Sequence, residues 1–460
     1  MTPRKDHFPH PTPQSRHLRL SVVNPDAAGI DSGAEAHWVA VPIDRDPEPV
    51  RPFGTCTADL EALVTWLQAC GVTTVAMEST GVYWVPLYEL LEARGFQVLL
   101  VDARQVARAP GRPKSDAKDC QWIQRLHSYG LLSAAFRPAD QVVVLRAYLR
   151  QRDMLVTYAG QHIQHMQKAL EQLNVKLTEV VSDITGVTGM GIIQAILRGE
   201  RDPAQLAKRR DPRCKESEAT IARALQGTWR AEHLFALRQA VALYEFYHRQ
   251  ISACDRAIEA HLRTFADRSG GQPLPYRPRR RKREANEPRF DGRARLYCVC
   301  GVDLTAIEGI DETTALVVLS EIGTDMSRWP SSKHFCSWLG LCPQHKISGG
   351  KILSRRVRRG ASRAKRALRL AARSLHHSKS ALGAFFRRIK SRHGSAAAIT
   401  AAAHKLARLV YSLLKHGTDY VAQEVEQYEA KYRERKLRTI ARQAQELGFN
   451  LVPAIAAAGG

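Results

Sequence analysis

No stretch of this sequence approaches the ~20 consecutive apolar residues that span a bilayer, and no CxxC pair occurs among its nine cysteines. The first absence excludes a transmembrane helix, and nothing in the sequence supports peripheral membrane binding. The second absence, with one residue between Cys298 and Cys300 and five between Cys336 and Cys342, argues against a disulfide scaffold or a zinc site. Ordinary reduced cysteines, several of them buried, are expected instead. The N-terminal run MTPRKDHFPHPTPQSRH lacks the apolar core of a signal peptide and reads as a disordered tail, which keeps the protein in the cytoplasm. Acid is also missing over a long interval: from Met326 to Thr418 there is no Asp or Glu, against 21 Lys and Arg and seven His. A solvated face normally mixes signs, so such a stretch points to contact with nucleic acid.

What is present bounds the rest. A chain of 460 residues exceeds the size at which one core stops growing, so two domains with connecting helices are expected. With 44% hydrophobic residues a core can form, and 69 Lys and Arg against 45 Asp and Glu leave a formal charge of +24 that a polyanion would balance.

From about Ala28 to Phe136 short β-rich runs alternate with helical ones, in the order strand, strand, helix, strand, helix, strand, helix. AAGIDSG and HWVAVPID read as neighbouring strands, TTVAMES and FQVLLVDA as further strands, and SDAKDCQWIQRLHSYG as a helix with Ser115 as candidate N-cap. Two long helical stretches follow, one between Pro138 and Asp183 and one from Glu216 to Phe265, which together suggest an antiparallel helical arm, either folded back on itself or paired between copies of the chain. QPLPYRPRRRKREANEPRFDGR has no apolar periodicity and reads as a disordered linker. Its RRRKR run at 279–283 is either a solvated charge run or a phosphate contact. The chain is mostly helical again from Arg295.

Four carboxylates stand at positions suited to a hard cation, which prefers oxygen ligands. Asp31 ends the first strand, Glu78 ends TTVAMES, and Asp116 with Asp119 lie three apart on one helix face. Each has a plain structural alternative: a turn at Asp31, a helix cap at Glu78, a favourable place beside the helix dipole for Asp116. In the basic half, Ser348 precedes Gly349 and Gly350, which permit a tight turn and close approach of a phosphate, and Lys346 and Lys351 flank it. On its own an SGG turn is usually only a loop. The densest cationic run follows, with Arg355, Arg356, Arg358, Arg359, Arg363, Lys365 and Arg366 as candidate phosphate contacts. GIDETTALVVLSEIG reads either as a helix-hairpin-helix whose turn offers N–H groups to phosphate or as a packed helical hairpin.

The blocks GIDSGAEAHWVAV, VAMESTGVYW and KSDAKDCQWI, in this order, resemble the signature blocks of DEDD-type insertion-sequence transposases, which are related to the Piv-type DNA invertases. GIDETTALVVLSEIG through HKISGGK, with the basic helix after it, is similar to the C-terminal domain of the same family, including its SG motif. The resemblance implies an RNase H-like (RuvC-like) domain at 28–137, and with the composition and periodicity above it gives an α/β plus α architecture that has a tail at 1–27 and a coiled-coil-like helical arm at 138–267. A disordered basic linker at 268–295, a mostly helical C-terminal transposase domain at 296–420, and a final helix with a frayed tail at 421–460 complete it. It further implies that Asp31, Glu78, Asp116 and Asp119 bind Mg²⁺ or Mn²⁺, and that Ser348 is the nucleophile of a phosphoserine intermediate. The implied partners are donor and target DNA, a noncoding guide RNA, and further copies of the chain in a homodimer or homotetramer at the bacterial nucleoid. Two rival classes remain: a metal-dependent junction nuclease in which Ser348 is a loop residue, and a nucleic-acid-binding protein without catalysis.

Overall fold

The computed structural model describes residues 21–102, 115–277, 286–354, 356–357 and 362–452. The chain divides into two units, Met1–Arg137 and Pro138–Gly460.

The first unit is built on a five-stranded sheet of order β3-β2-β1-β4-β5. Strand β1 (Ala27–Ser32) pairs antiparallel with β2 (Ala36–Ala40), which pairs antiparallel with β3 (Val50–Gly54). On its other side β1 runs parallel to β4 (Thr74–Glu78), and β4 parallel to β5 (Gln97–Val101). Strand β3 is absent from the sequence reading. Its Pro52 cannot donate to a ladder, and it is tolerated because, among the described residues, β3 is the sheet edge and pairs with β2 alone.

Strand alternation sends residues to two different faces. Ala28, Ile30, Val39, Val75 and Met77 form one core with Leu63 and Leu67 of helix α1 (Thr57–Ala69) and Leu87 and Leu91 of α2 (Trp84–Ala93). Ala76 and Val101, on the opposite face, pack with Ile123 of α3 (Asp116–Ser128). Helix α1 is opened by Asp59, whose carboxylate accepts the Cys56 backbone N–H at 3.2 Å.

The second unit is mostly helical. Helices α4 (Asp140–Gln172) and α6 (Ala231–Leu262) run antiparallel, since His261 meets the Gln141 carbonyl at 2.7 Å while the Tyr158 and Tyr247 rings lie 5.6 Å apart. At their far end Met166, Leu170 and Leu237 join Ile192, Ile193 and Ile196 of α5 (Val187–Leu197) in a separate apolar cluster. The second helical stretch is not continuous as the sequence suggests. A short helix, Glu218–Ala224, is separated from α6 by a bend where a Cβ on Gly227 would meet the Leu173 carbonyl at 2.9 Å. Only a residue without a side chain lets the chain turn that close.

Between α4 and α6 sits an ion pair, Arg152 Nε to Asp255 Oδ1 at 2.6 Å, with both side chains 4% exposed. Arg152 also donates to the Asn286 carbonyl at 3.0 Å, and Asp255 accepts the Arg289 N–H at 3.1 Å. The flanks of the expected disordered linker are therefore ordered: residues 286–289 are anchored on the helix pair, and the Arg268 N–H donates to the Cys298 carbonyl at 2.7 Å. Backbone hydrogen bonds to buried charges outweigh the local lack of apolar periodicity. The run at 279–283 lies outside the described residues. Breaking a buried pair by removing one partner costs about 3–5 kcal/mol because the other charge stays buried. Asp255→Ala is expected to lower protection of the α4 and α6 amides in native-state hydrogen exchange by at least roughly 10²-fold. Unchanged protection would mean that the pair contributes nothing to holding the helices together.

The remaining elements are α7 (Gly292–Cys300), α8 (Glu312–Ile322), α9 (Ser332–Trp338), a hairpin of β6 (Lys346–Ser348) and β7 (Lys351–Ser354), α10 (Arg363–Ser374), α11 (Ala381–His416) and α12 (Thr418–Glu446). Leu316, Leu319, Phe335, Leu368, Ala403, Leu406 and Val410 are among the buried residues of this part. Tyr411 closes it by donating its hydroxyl to the Trp329 carbonyl at 2.8 Å. Helix α11 breaks at Gly394, whose φ of 81° no continuous helix contains.

Candidate active site

The first pair of acids is set by the register of parallel strands. Ile30 of β1 pairs with Met77 of β4, so Asp31 and Glu78, each one residue further, end neighbouring strands at the same sheet edge. By alternation both lie on the face that carries α3, as do Gly29 and Ala76.

The second pair is brought to that edge by the direction of α3. Its C-terminal half lies over the start of β1, with Gln124 Nε2 donating to the Ala27 carbonyl at 3.2 Å and Asn24 Nδ2 to the His127 carbonyl at 2.8 Å. Its first turn, with Asp116 and Asp119, therefore extends over the end where Asp31 stands. The Cys120 thiol registers this: burial raises it to about 12, with the nearby Asp31 and Asp116 charges adding to the effect. Asp119 Oδ1 is shielded from solvent, Asp116 is exposed, and Glu78 Oε1 accepts from Thr80 Oγ1 at 2.8 Å. Ser115 occupies the N-cap position of α3, but its side chain does not cap the helix.

Edge, face and helix direction thus bring the four acids toward one end of the sheet. They do not form a finished cage: among the described residues no three His, Cys, Asp or Glu side chains are gathered closely enough to hold a metal ion. The donor set itself fits a hard divalent cation, being all carboxylate oxygen with one oxygen withdrawn from water.

The approach of α3 depends on Gly29. A Cβ there would lie 2.2 Å from the Gln124 nitrogen and 2.5 Å from the Cys120 carbonyl oxygen, both backbone atoms that cannot step aside. Gly29→Ala is expected to cost about 3 kcal/mol of stability and to lift the first turn of α3 from the edge. A lowered melting temperature together with lost cleavage is the expected reading; an unchanged melt would contradict this packing.

Two polar residues beneath the same edge escape the sequence reading. Ser32 and His37 are cross-strand partners, each 2% exposed, and Ser32 Oγ and His37 Nδ1 have no hydrogen-bond partner. Burial holds the His37 imidazole below its usual range, so it is neutral. The signal was available: they are polar residues at alternation positions that point into a core.

In the second unit Ser348 closes a hairpin in which it pairs with Lys351. Gly349 and Gly350 have φ of 53° and 75°, the turn in which both central residues are left-handed. A Cβ on either glycine would meet nothing within 4 Å, and Ser348 and Lys351 are exposed, so the tip is open to a ligand. Of the expected phosphate contacts, Arg356 and Arg366 are exposed, while Arg355, Arg358, Arg359 and the Lys346 side chain lie outside the described residues. Arg363 departs from expectation. Its guanidinium is bonded to Asp153 and lies 3.7 Å from Glu321, so acids far away in sequence already engage it. The turn of GIDETTALVVLSEIG is also packed: Gly309 lies against the Ala371 carbonyl, and the Asp311 carboxylate accepts the Thr314 N–H at the start of α8. That favours the packed hairpin over a phosphate-binding turn.

Comparison with known families decides the class. Residues 28–175 match the DEDD transposase domain of the IS110 type, described as a transposase, and residues 289–387 match the transposase domain of the IS116/IS110/IS902 family. The chain carries IS110/IS116/IS902-family transposase domains. This transposase is an enzyme of DNA cleavage and rejoining, and DNA is its substrate. The first match contains all four acids and the second contains Ser348. No curated protein matches the chain significantly. Among the described residues no helix is long and apolar enough to cross a membrane.

Proposed function

We propose that the transposase cuts and rejoins DNA through a covalent bond to Ser348, with an RNase H-like first domain whose Asp31, Glu78, Asp116 and Asp119 hold Mg²⁺ or Mn²⁺. The observation that carries this reading is the meeting of β1, β4 and the first turn of α3 at one sheet edge, each contributing carboxylate to the same face. The sheet order, with β2 antiparallel between β3 and β1, supports the RNase H-like assignment.

In this mechanism Ser348 Oγ attacks a backbone phosphorus. The phosphoserine bond forms, the bond to the departing deoxyribose oxygen breaks, the serine hydroxyl gives up its proton and the departing oxygen takes one up. Attack by a sugar hydroxyl on the phosphoserine reverses the exchange, so one phosphoester replaces another and no external energy is needed. Asp31, Glu78, Asp116 and Asp119 would hold the divalent metal, which would supply stabilisation of charge developing on phosphate oxygens. The open tip at Gly349 and Gly350 admits a phosphate to the serine, and Lys351 offsets its charge.

Strand exchange needs two DNA segments and several cuts, so we read the enzyme as a homodimer or homotetramer that uses the long α4–α6 helix pair as a coiled-coil-like interface. A noncoding RNA selects donor and target by base pairing, a reading supported by the +24 charge. Purified protein is then expected to retain, through salt washes, an RNA encoded beside its own gene; recovery of a random sample of cellular transcripts would leave a DNA-only recombinase.

A metal-dependent nuclease is the second reading, favoured because among the described residues no hydrogen-bonded base accompanies the Ser348 hydroxyl. Incubation with DNA and Mg²⁺ followed by a denaturing gel separates the two: protein joined to DNA supports the serine mechanism, and cut DNA without protein supports the nuclease.

A further inference from the structure

Helix α10 is divided lengthwise. Ala364, Ala367, Leu368, Ala371 and Ala372 form its buried side, while the other side opens a cleft of about 420 Å³ lined by Ser362, Lys365, Arg366, Arg369, Leu370, Arg373 and Ile399. Among the described residues no carboxylate lines it. Lys365, Arg369 and Arg373 succeed one another at spacings of four, so their charges stack on consecutive turns instead of dispersing around the helix. Lys365 is 7% exposed, and burial together with the Arg369 charge holds its ammonium below the usual lysine range. A cluster of like charges on a concave surface is relieved by an anion. Leu370, 58% exposed, and Ile399 give the cleft an apolar side against which a sugar ring can lie.

We infer that this face of α10 is a seat for a single sugar–phosphate strand, with Arg369 and Arg373 as its outer phosphate contacts and Lys365 at its base. From Lys365 to Arg373 the helix rises roughly 12 Å, about three to four nucleotide steps at ~3.4 Å along a duplex axis. Stacked cations beside an apolar wall suit the repeating charge and sugar of the backbone, which positions a strand. The inference rests on the transposase reading for its occupant, a nucleic acid strand. It singles out Lys365, Arg369 and Arg373 from the cationic run as one lengthwise seat, and it is independent of Ser348.

The test uses the full-length protein without Mg²⁺, titrated against labelled duplex DNA, single-stranded DNA and structured RNA at several salt concentrations. Arg369→Gln with Arg373→Gln is compared with a charge-matched control, Arg198→Gln with Arg249→Gln, two exposed cations outside α10. Loss of two phosphate contacts should flatten the salt dependence by roughly 1.8 log units per log unit on duplex DNA, or about 1.4 on single strands. Arg369→Lys with Arg373→Lys should restore the slope, which a merely structural role would not require. A change confined to DNA assigns the seat to a DNA strand, and one confined to RNA assigns it to the RNA. If wild type binds but the Gln variant keeps the slope and affinity of the control, the seat is wrong and the transposase reading stands. If wild type binds no nucleic acid, both fall.

Discussion

Alanine at Asp31, Glu78, Asp116 or Asp119 is expected to reduce DNA cleavage by about 10³-fold, roughly 4 kcal/mol of transition-state stabilisation, and to leave nucleic-acid affinity nearly unchanged. The asymmetry follows from what these groups face. They stand at one sheet end and helix turn of the first unit, where no comparable cationic run occurs, and their charge repels phosphate unless a cation intervenes. Asp119, with one oxygen withdrawn from solvent, should be the least tolerant of Asn, which keeps the shape and loses the charge. Exposed Asp116 should tolerate Asn best. The measurement is single-turnover cleavage with Mg²⁺ beside a binding titration of the same variants. Full activity in any two alanine variants would remove the acidic site.

Ser348→Ala should abolish covalent protein–DNA product, by at least roughly 10⁴-fold, because deleting the attacking atom of a covalent mechanism leaves only residual catalysis. The substitution is structurally mild. Ser348 is exposed at a hairpin tip whose geometry is set by Gly349 and Gly350, so fold and nucleic-acid binding should persist. Two neighbouring hydroxyls serve as controls. Ser337 is exposed on α9, and Ser354 lies on β7 with its Oγ accepting the Arg356 N–H at 3.3 Å; neither precedes a glycine pair. Their alanine variants should still form the covalent product.

The placement of the acids was legible because it follows from local rules. The alternation of Ala28, Ile30 and Met77 against Gly29 and Ala76 assigns faces, and the helix after Ser115 carries two acids on one side. What remained hidden depends on partners distant in sequence. Arg363 looks like any other cation of its run until Asp153 and Glu321 fold against it. Strand β3 has a proline and few apolar residues, and it exists because β2 offers it an edge. The 286–289 segment looks unstructured until the Arg152–Asp255 pair takes up its backbone groups. The cleft on α10 needs Ile399, from a helix further along the chain, to become concave.

The central claim is that Ser348 becomes joined to DNA. The direct measurement incubates the transposase with end-labelled DNA, Mg²⁺ and its co-purified RNA, digests the covalent product with a protease, and identifies the labelled peptide by mass spectrometry. The account predicts one labelled peptide, carrying phosphorus on Ser348 and absent from Ser348→Ala. Label on another residue, or label that persists in Ser348→Ala, would contradict it.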